Sequence, residues 1–413
     1  MTATVGEATD APAAPHPSTL PLQGVRVLDL TRVIMGPFAT QILADQGADV
    51  IIIEAAGGDT SRVMGPGPHA EFSGIALNLL RNKRSVVVDL KSESGMATVR
   101  QLVQTCDVAV ATMRPNVLVR LGLDYDSLRA IRPDIVYCQA QGFALDSERA
   151  DDPAYDDIVQ AASGVSDMIE RVWGHPALLP TIFADKVCGV VIAQAVSAAL
   201  FARERTGRGC HVEVPMTEAM TAFMLTEHGS GAIPEPPQRE GDKPAAGYPR
   251  VMSPERRPHL TSDGQVHLFP YLPKHYAALF EGSDAGKGDN ALRYVDQRAA
   301  LINSESLYRD VRKIAPQRTT AEWLAYCSDV GIPATEVATL QGLVDALSLD
   351  RHPVIGAYRV IPSMAKFDAR GASIRRPAPM IGEHTDDVLA ELAGAKADGG
   401  GPPSRSDGAD DAP

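Results

Sequence analysis

The sequence of residues 24–54, GVRVLDLTRVIMGPFATQILADQGADVIIIE, carries the clearest indication of the fold class. Its apolar residues at 25–30 predict a strand, residues 38–46 predict a helix, and the unbroken apolar run at 50–53 predicts a second strand. Strand, helix and strand in succession form a βαβ unit, in which the helix crosses over between two parallel strands. The stretch therefore predicts a parallel sheet.

The same alternation continues downstream. Residues 84–113, RSVVVDLKSESGMATVRQLVQTCDVAVATM, predict a strand over 85–90, a helix capped by Ser92 that ends near residue 105, and a strand over 107–112. A further strand is predicted within RPDIVYCQAQGF at 132–143. Because strands that alternate with helices are typical of doubly wound sheets, we predict an α/β fold. Its large domain, at 21–230, holds a Rossmann-like, doubly wound parallel sheet.

The composition changes after this large domain. Residues 231–245 are rich in Pro and Gly and predict a linker, and residues 246–345 predict a smaller α+β domain. That domain is expected to contain a hairpin with its turn at Asp263-Gly264 and helices near 274–280 and 320–330. Residues 346–394 are predicted to return to the large domain and to pack on it through a final amphipathic helix. The leader at 1–20 and the tail at 395–413 are predicted to be disordered by composition.

Charge and cysteine usage restrict the class of protein. The net charge of −13 argues against nucleic-acid binding, which depends on clustered Lys and Arg. The five cysteines form no CxxC pair, and no HExxH or comparable cluster predicts a metal site. The leader lacks the basic and apolar regions of a signal peptide. These features indicate a cytoplasmic protein with reduced thiols and no bound metal.

A single carboxylate interrupts the most apolar stretch of the chain. In LLPTIFADKVCGVVIAQ, at 178–194, Asp185 stands shortly before an apolar run, and from residue 187 to residue 202 only Gln194 and Ser197 are polar. That run is shorter than the roughly 20 residues of a membrane span, so it predicts a buried helix and no membrane association. Asp185 at the start of that helix has two compatible interpretations. It is an N-cap worth about 1 kcal/mol, or a carboxylate presented to a substrate.

Basic residues flank the predicted strand at 85–90. Arg81, Lys83 and Arg84 precede it, Lys91 follows it, and Arg120 lies farther along the chain. Each one alone is more often a surface charge, but together they favour an anionic ligand at the carboxyl edge of the sheet. The first loop, RVIMGPF, lacks the glycines of the GxGxxG fingerprint, and SGVSD is not a GxSxG nucleophile elbow. These absences argue against a dinucleotide-linked oxidoreductase and a serine hydrolase.

Eight segments, taken in this order and with these gaps, resemble the class III coenzyme A transferase (CaiB/BaiF) family. That family includes formyl-CoA:oxalate CoA-transferase, carnitine CoA-transferase and α-methylacyl-CoA racemase, and the resemblance covers residues 20–392. The segments are PLQGVRVLDLTRVIMGPFATQILADQGADVIIIE, NKRSVVVDLK, RPNVLVRLGLDY, AYDDIVQAASG, FADKVCG, RTGRGCHVEVPMTEA, SDG and APMIGEHTDDVL.

The resemblance implies an acyl-CoA:carboxylate CoA-transferase with Asp185 as its nucleophile. The Asp185 carboxylate would attack an acyl-CoA thioester, giving a mixed anhydride and then an aspartyl-CoA thioester, from which a small carboxylic acid takes up CoA. The helix N-terminus is expected to keep Asp185 ionised. Acyl-CoA is thus a substrate, and no permanently bound cofactor is expected. The resemblance also implies an interlocked homodimer.

Further site residues follow from the resemblance, position by position. Tyr155 would lie beside the thioester and orient it. Two departures stand out: Ala55 replaces an expected basic residue, and AAGYP at 245–249 replaces a glycine-rich flap. The expected coenzyme A contacts are Ile34, Met35, Val88, Asp89, Leu90, Lys91, Thr112, Met113, Arg114, Arg120, Ala154 and Asp156.

The racemase branch of the family is the alternative function. That branch needs a His base thirty residues before the Asp, and the residue at that position here is Tyr155. A phenol with a reference pKa near 10 is a poor base at neutral pH, so the sequence favours the transferase. A CoA-binding protein without catalysis is a weaker alternative, because Asp185 is intact.

Overall fold

The computed structural model describes residues 20–239, 244–367, 370–371 and 373–397. The prediction of a flexible leader falls on residues outside this range, apart from Leu20. The prediction of a disordered tail also falls outside it, except that the last helix continues to Ala397.

Six parallel strands form the central sheet, which confirms the parallel sheet predicted from residues 24–54. The sheet order is third, second, first, fourth, fifth and sixth strand, the doubly wound arrangement. The predicted strand at 85–90 begins and ends earlier than expected, so residues 88–91 lie beyond its end. The strands are β1 (Arg26–Leu30), β2 (Asp49–Glu54), β3 (Lys83–Val87), β4 (Val108–Ala111), β5 (Val136–Gln141) and β6 (Cys210–Pro215).

Helices cover both faces of this sheet because side chains of each strand alternate between them. Val27 and Val50 pack in one buried cluster, whereas their neighbours Leu28 and Ile51 pack in a second cluster on the other face. The helices of the large domain are α1 (Met35–Asp45), α2 (Gly74–Leu79), α3 (Glu93–Thr105), α4 (Pro115–Leu121), α5 (Tyr125–Ile131), α6 (Asp156–Ala162), α7 (Val165–Trp173), α8 (Ala184–Thr206) and α9 (Met216–His228).

Helix α8 is the helix predicted to follow Asp185. Its 23 residues are long and apolar enough to cross a membrane, so the argument from length made above does not hold. Half of its most apolar window is nevertheless buried inside the protein, where it packs against α1, β5 and β6. Packing, rather than length, identifies α8 as a core helix.

The basic residues Arg81, Lys83 and Arg84 form internal ion pairs, so the prediction that they help to bind an anion is wrong. They lie at the amino end of β3, opposite the carboxyl edge where ligands bind. Buried charges of this kind are tolerated when they are paired. The pairs are Arg81–Asp45 at 2.6 Å, Lys83–Asp29 at 3.1 Å and Arg84–Asp49 at 2.5 Å.

A smaller unit follows the large domain. Its first two strands form the antiparallel hairpin predicted around Asp263-Gly264, and helices occupy the two positions predicted for them. Tyr276, Phe280 and Trp323 are buried in its separate core. Its elements are β7 (His259–Leu260), β8 (Gln265–Leu268), α10 (Pro273–Phe280), α11 (Gln297–Ile302), α12 (Ser304–Ile314), α13 (Thr320–Val330) and β9 (Ala334–Glu336).

The remaining residues lead the chain back to the large domain. The backbone N–H of Asn82 donates to Arg376, and the N–H of His384 donates to Ser85, which ties this segment to β3. Val388 and Leu392 are buried against the sheet. The elements are α14 (Leu340–Asp345), β10 (Leu349–His352), β11 (Gly356–Arg359), β12 (Lys366–Phe367), β13 (Arg370–Gly371) and α15 (Thr385–Ala397).

Candidate active site

Asp185 lies in the first turn of α8, and its residue surface is only 8% exposed. The N-cap position belongs to Phe183, whose side chain makes no capping hydrogen bond. The N-cap interpretation of Asp185 is therefore wrong, because the residue lies inside the helix, beyond the capping position. The carboxylate of Asp185 does not cap α8.

A second buried carboxylate, Asp156, faces the same turn from the start of α6. Its Oδ1 accepts the backbone N–H of Asp185 at 3.0 Å, and its Oδ2 accepts the Nε2 of Gln160 at 2.6 Å. Asp156 was expected to contact coenzyme A. In the structure it also joins α6 to the first turn of α8.

Gln160 is a member of this site that the sequence analysis missed. It is completely buried, and its Oε1 accepts the backbone N–H of Leu179 at 2.9 Å. Its Nε2 also lies 3.3 Å from the carbonyl oxygen of Thr181. The available signal was its spacing: Gln160 follows Asp156 by four residues, which puts both on one face of a helix.

Burial governs the charge of Asp185. Desolvation, and then the negative charge of Asp156, raise the pKa of Asp185 to about 7. The expectation that the helix N-terminus keeps this carboxylate fully ionised is therefore wrong, since desolvation outweighs the helix dipole. The nearby Cys188 is no rival nucleophile, because burial raises the pKa of its thiol to about 12.

Two glycines allow the backbone approaches that shape the site. A Cβ on Gly189 would lie 2.9 Å from the carbonyl oxygen of Met35, so a side chain there would push α1 away from α8. A Cβ on Gly142 would lie 2.2 Å from that of Ala154, so glycine lets the segment before α6 cross the end of β5. These contacts fix where Asp156 and Asp185 meet.

Most of the predicted coenzyme A residues lie in the loops after β1, β3, β4 and β5 or at the starts of the helices that follow, whereas Arg120 lies in the last turn of α4. Ile34, Met35 and Val88 are buried, with 6%, 7% and 7% of their surfaces exposed. The side chain of Asp89 makes a hydrogen bond within its own loop, in which its Oδ1 accepts the N–H of Lys91 at 2.9 Å. Leu90, Thr112, Met113 and Ala154 are half-buried in these same loops.

Four cations on the segments that follow β1, β3 and β4 have no carboxylate within ion-pair distance in the part of the chain that the structure describes. Three were predicted, namely Lys91, Arg114 and Arg120, and all are exposed. The fourth, Arg32, follows β1 and was missed. Its backbone N–H donates to Thr112 Oγ1 at 3.2 Å, which joins the loops after β1 and β4. Cations without acidic partners are suited to bind the phosphates of a ligand.

The loop after β1 is strained next to these cations. Val33 has a φ of 70°, a conformation that is rare and costly for a β-branched residue. The carboxylate of Asp59 holds it there by accepting the Val33 N–H at 3.2 Å. Strain that the surroundings enforce in this way is common in loops that contact ligands.

Tyr155 is the N-cap residue of α6, and 67% of its surface is exposed. It is adjacent in sequence to Asp156, so it lies at the edge of the carboxylate pair. The segment AAGYP at 245–249 lies against two helices that pack on α6. Arg171 of α7 donates to the carbonyl oxygen of Ala246 at 2.7 Å, and the N–H of Gly247 donates to His228 of α9 at 2.7 Å. Ala55 is exposed after β2.

Within residues 20–239, 244–367, 370–371 and 373–397, no group of three His, Cys, Asp or Glu side chains is arranged to hold a metal ion.

Comparison with known proteins identifies the family of this chain. A family model described as CoA-transferase family III matches residues 22–385. Succinate–glutarate CoA-transferase of Agrobacterium fabrum is 31% identical over 391 residues, 90% of this chain and 96% of that protein. Acetyl-CoA:oxalate CoA-transferase of Acetobacter aceti is 33% identical over 384 residues, 86% of this chain and 95% of that protein. The crystal structure of a CAIB/BAIF family protein from Brucella suis is 26% identical, with a TM-score of 0.72 and coverage of 91% of this chain and 100% of that one.

Proposed function

The chain belongs to CoA-transferase family III and is an acyl-CoA:carboxylate CoA-transferase, and we propose that it works through covalent intermediates on Asp185. The single observation that supports Asp185 is its position. It is a buried carboxylate in the first turn of α8, and Gly189 in the next turn packs against Met35, which directly follows the loop that carries the exposed Arg32. A carboxylate nucleophile divides one difficult transfer into easier steps.

In the first half-reaction, a carboxylate oxygen of Asp185 attacks the thioester carbonyl carbon of the donor. The C–S bond breaks, CoA leaves as the thiolate, and a mixed anhydride remains. The thiolate then attacks the Asp185 carbonyl carbon, releasing the donor acid as its carboxylate and leaving an aspartyl-CoA thioester. In the second half-reaction the acceptor carboxylate displaces CoA thiolate from this thioester, and the thiolate attacks the acyl carbon of the new anhydride. The products are the new acyl-CoA and the free Asp185 carboxylate.

The start of α8 suits this chemistry electrostatically. The backbone N–H groups of the first turn have no partners within the helix, and the helix dipole adds positive potential there. The N–H of Asp185 is bonded to Asp156, and the N-cap residue Phe183 supplies no side-chain acceptor for the others. We propose that the remaining amides stabilise the oxyanion that forms when the thioester or the aspartyl thioester is attacked.

The donor is proposed to bind along the carboxyl edge of the sheet. Lys91, Arg114 and Arg120 would hold the phosphates of coenzyme A, and the loop at 88–90 would surround the adenine. The half-buried Ala154 and the exposed Tyr155 would contact the pantetheine arm near the thioester. The exposed position of Tyr155 is suited to orienting the thioester rather than to abstracting an α-proton, so it does not favour the racemase alternative.

The acceptor is proposed to be a small dicarboxylic acid. The relatives in Agrobacterium fabrum and Acetobacter aceti are named for glutarate and oxalate, and a relative in Haloarcula hispanica is named for mesaconate. A panel of such acids with several acyl-CoA donors, analysed by mass spectrometry, would identify the pair that reacts. We place the reaction in the cytoplasm, where the free thiols stay reduced.

We also propose that the active form is an interlocked homodimer. Large apolar side chains are exposed on α8 and α9 and along residues 340–367, including Phe201, Phe223 and Leu340 at 65%, 52% and 85% exposure. A cavity of about 810 Å³ lies between α1, α8 and part of the segment 361–373. Apolar surface of this extent is typical of an interaction site, and a second copy would cover it.

Isotope labelling tests the covalent step. An acceptor acid with two ¹⁸O atoms should leave one ¹⁸O on Asp185, since the anhydride breaks on the acyl side when CoA thiolate attacks. The label would be found by mass spectrometry of the peptide that contains Asp185. Asp185→Asn should lose several orders of magnitude in rate but still fold, whereas Asp157→Asn, an exposed neighbour of the site, should react normally. Transfer by Asp185→Asn at near wild-type rate would refute the mechanism.

A further inference from the structure

Arg32 lies where the strand order of the central sheet reverses. β1 and β4 are neighbours, with Leu30 paired to Ala111, and the chain continues from β1 to β2 on one side and from β4 to β5 on the other. The segments after these two strands therefore lead away in opposite directions. In doubly wound sheets this reversal leaves a crevice at the carboxyl ends of the strands, and ligands bind there. Arg32 is the second residue after β1, so it lies at this crevice.

The backbone of Arg32 is held in place, whereas its charge has no partner. Its N–H donates to Thr112 Oγ1 at 3.2 Å, which joins the loop after β1 to the loop after β4. The side chain is exposed, and no carboxylate of the described residues lies within ion-pair distance of it. The loop after β2 has the sequence AAGG at 55–58 and supplies no cation. A guanidinium without an acidic partner is suited to a phosphate, to which it can donate two parallel hydrogen bonds.

Val33, the next residue, fixes the path of the chain at Arg32. Its φ of 70° lies in the left-handed region, which a β-branched residue adopts only where its surroundings enforce it. Helix α1 begins at Met35, so only one residue separates Val33 from a rigid element. A change of conformation at Val33 would therefore shift Arg32 relative to Thr112.

Asp59 supplies the contact that holds Val33 in this conformation. Its Oδ2 accepts the Val33 N–H at 3.2 Å, and its Oδ1 accepts the Ser61 N–H at 2.8 Å. The N–H of Asp59 donates to Glu54 Oε1 at 2.8 Å, and Glu54 forms a buried ion pair with Arg62 at 2.6 Å. Asp59 is itself buried. Its carboxylate is thus fixed to the end of β2 by a network of buried groups.

We propose that Arg32 binds a phosphate group of acyl-CoA in this crevice, and that Asp59 is a positioning residue that holds the loop after β1 in the conformation that presents Arg32. The inference rests on the proposed function, in which acyl-CoA lies along the carboxyl edge of the sheet. It adds a fourth cation to that binding site and names the contact that keeps this cation in place. Asp59 acts through Val33 and does not touch the substrate.

A thioester that lacks phosphates tests the role of Arg32. An acyl-pantetheine has the same acyl group and thioester as the acyl-CoA but no phosphate. The ratio of kcat/KM for acyl-CoA to kcat/KM for acyl-pantetheine therefore isolates the phosphate contacts. In Arg32→Ala this ratio should fall at least about tenfold, because a charge-assisted hydrogen bond to phosphate is lost. The control is Arg100→Ala, an exposed arginine on α3, which should keep the wild-type ratio.

Asp59→Ala tests the positioning role. It should lower the same ratio at least about threefold, because Val33 is no longer held and Arg32 is displaced. Addition of Val33→Gly should recover most of this loss, because glycine adopts a positive φ without help from Asp59. The control Asp296→Ala removes an aspartate N-cap from α11 in the smaller unit and should keep the wild-type ratio.

Circular dichroism establishes that each variant folds. If Asp59→Ala does not fold, Asp59→Asn takes its place, with and without Val33→Gly. Asparagine keeps the size of the side chain but offers one acceptor oxygen to the two backbone N–H groups that Asp59 binds, so the ratio should again fall and should again recover with glycine.

A third substrate, an acyl-dephospho-CoA, identifies the phosphate. It lacks the 3′-phosphate of the ribose and keeps the diphosphate. If the loss in Arg32→Ala disappears with this substrate, Arg32 binds the 3′-phosphate, and if the loss persists, Arg32 binds the diphosphate. Both results support the proposal.

Two results would overturn the inference. A wild-type ratio in Arg32→Ala means that Arg32 binds no phosphate. Equal losses with acyl-CoA and acyl-pantetheine in Asp59→Ala, without recovery by Val33→Gly, mean that the role of Asp59 is only structural. Transfer by Asp185→Asn at near wild-type rate would instead overturn the proposed mechanism, and it would leave these ratios as they are.

Discussion

Replacing Asp185 with Asn should stabilise the protein at neutral pH while it abolishes transfer. The pKa of Asp185 is raised from 3.8 to about 7 in the folded protein, first by burial and then by Asp156. The folded state therefore binds this proton more tightly than the unfolded chain does. It follows that the free energy of unfolding falls as pH rises from about 4 to about 7 and is level above that range.

The structure gives the size of this effect. A rise of about three pKa units corresponds to about 4 kcal/mol, and Asp185 is only 8% exposed, so solvent screens it little. Asn has nearly the same shape and does not titrate, and its substitution leaves the backbone N–H bond to Asp156 in place. No N-cap is lost, because Asp185 does not cap α8. The stability of Asp185→Asn relative to wild type should increase by about 2 to 4 kcal/mol between about pH 4.5 and pH 8.

Urea unfolding at several pH values, at one fixed protein concentration, measures this difference directly. The matched control is Asp157→Asn, because Asp157 is an exposed carboxylate in the same turn of α6 as Asp156. Its stability difference from wild type should not vary with pH in the same window. If the free energies of unfolding of wild type and Asp185→Asn differ by the same amount at about pH 4.5 and at about pH 8, burial does not hold a proton on Asp185.

Three further predictions concern the ligand, the reaction type and the assembly. Lys91→Ala and Arg114→Ala should each raise KM for acyl-CoA about tenfold with little change in kcat, since each removes a charge-assisted phosphate contact. The control Arg100→Ala, on the surface of α3, should leave KM unchanged. A loss confined to kcat would contradict this prediction. Incubation with a 2-methylacyl-CoA in D₂O should give no α-deuterium exchange by mass spectrometry, in wild type or in Tyr155→Phe, and rapid exchange would revive the racemase alternative. Mass photometry should find one species near twice the 43.9 kDa chain mass even at nanomolar concentration. Dissociation and unfolding should coincide. A folded, active monomer would exclude the interlocked dimer.

The sequence predicted those parts of the fold that depend on local periodicity. The continuous apolar run at 50–53 can be buried only if both faces of its strand are covered, which requires a parallel sheet with helices on each side. The same reasoning places Asp185 at the start of a buried helix, as the structure has it. The hairpin at Asp263-Gly264 follows from turn chemistry that two residues determine.

The errors concern interactions between segments that are distant in sequence. The sequence of residues 81–84 shows three basic side chains, but their acidic partners Asp29, Asp45 and Asp49 lie in other elements, so the pattern resembled an anion site. The ion pairs form only in the folded chain, where the start of β3 lies close to β1, α1 and β2. Gln160 was missed for the same reason, because its role depends on Leu179 and on the proximity of α6 to α8.

The local sequence also could not predict the charge of Asp185. This charge affects the chemistry that the site can perform. A helix N-terminus alone would have held this carboxylate ionised, but it would also have made it a weak base and a weak nucleophile. Burial against Asp156 works in the opposite direction, and Lys186, the nearest cation in sequence, is turned away to Thr181. The result is a pKa of about 7 for Asp185, at which a carboxylate is partly ionised and more basic than an ordinary Asp. In the proposed mechanism this carboxylate attacks a thioester and later leaves from its own anhydride, and such a pKa suits both steps.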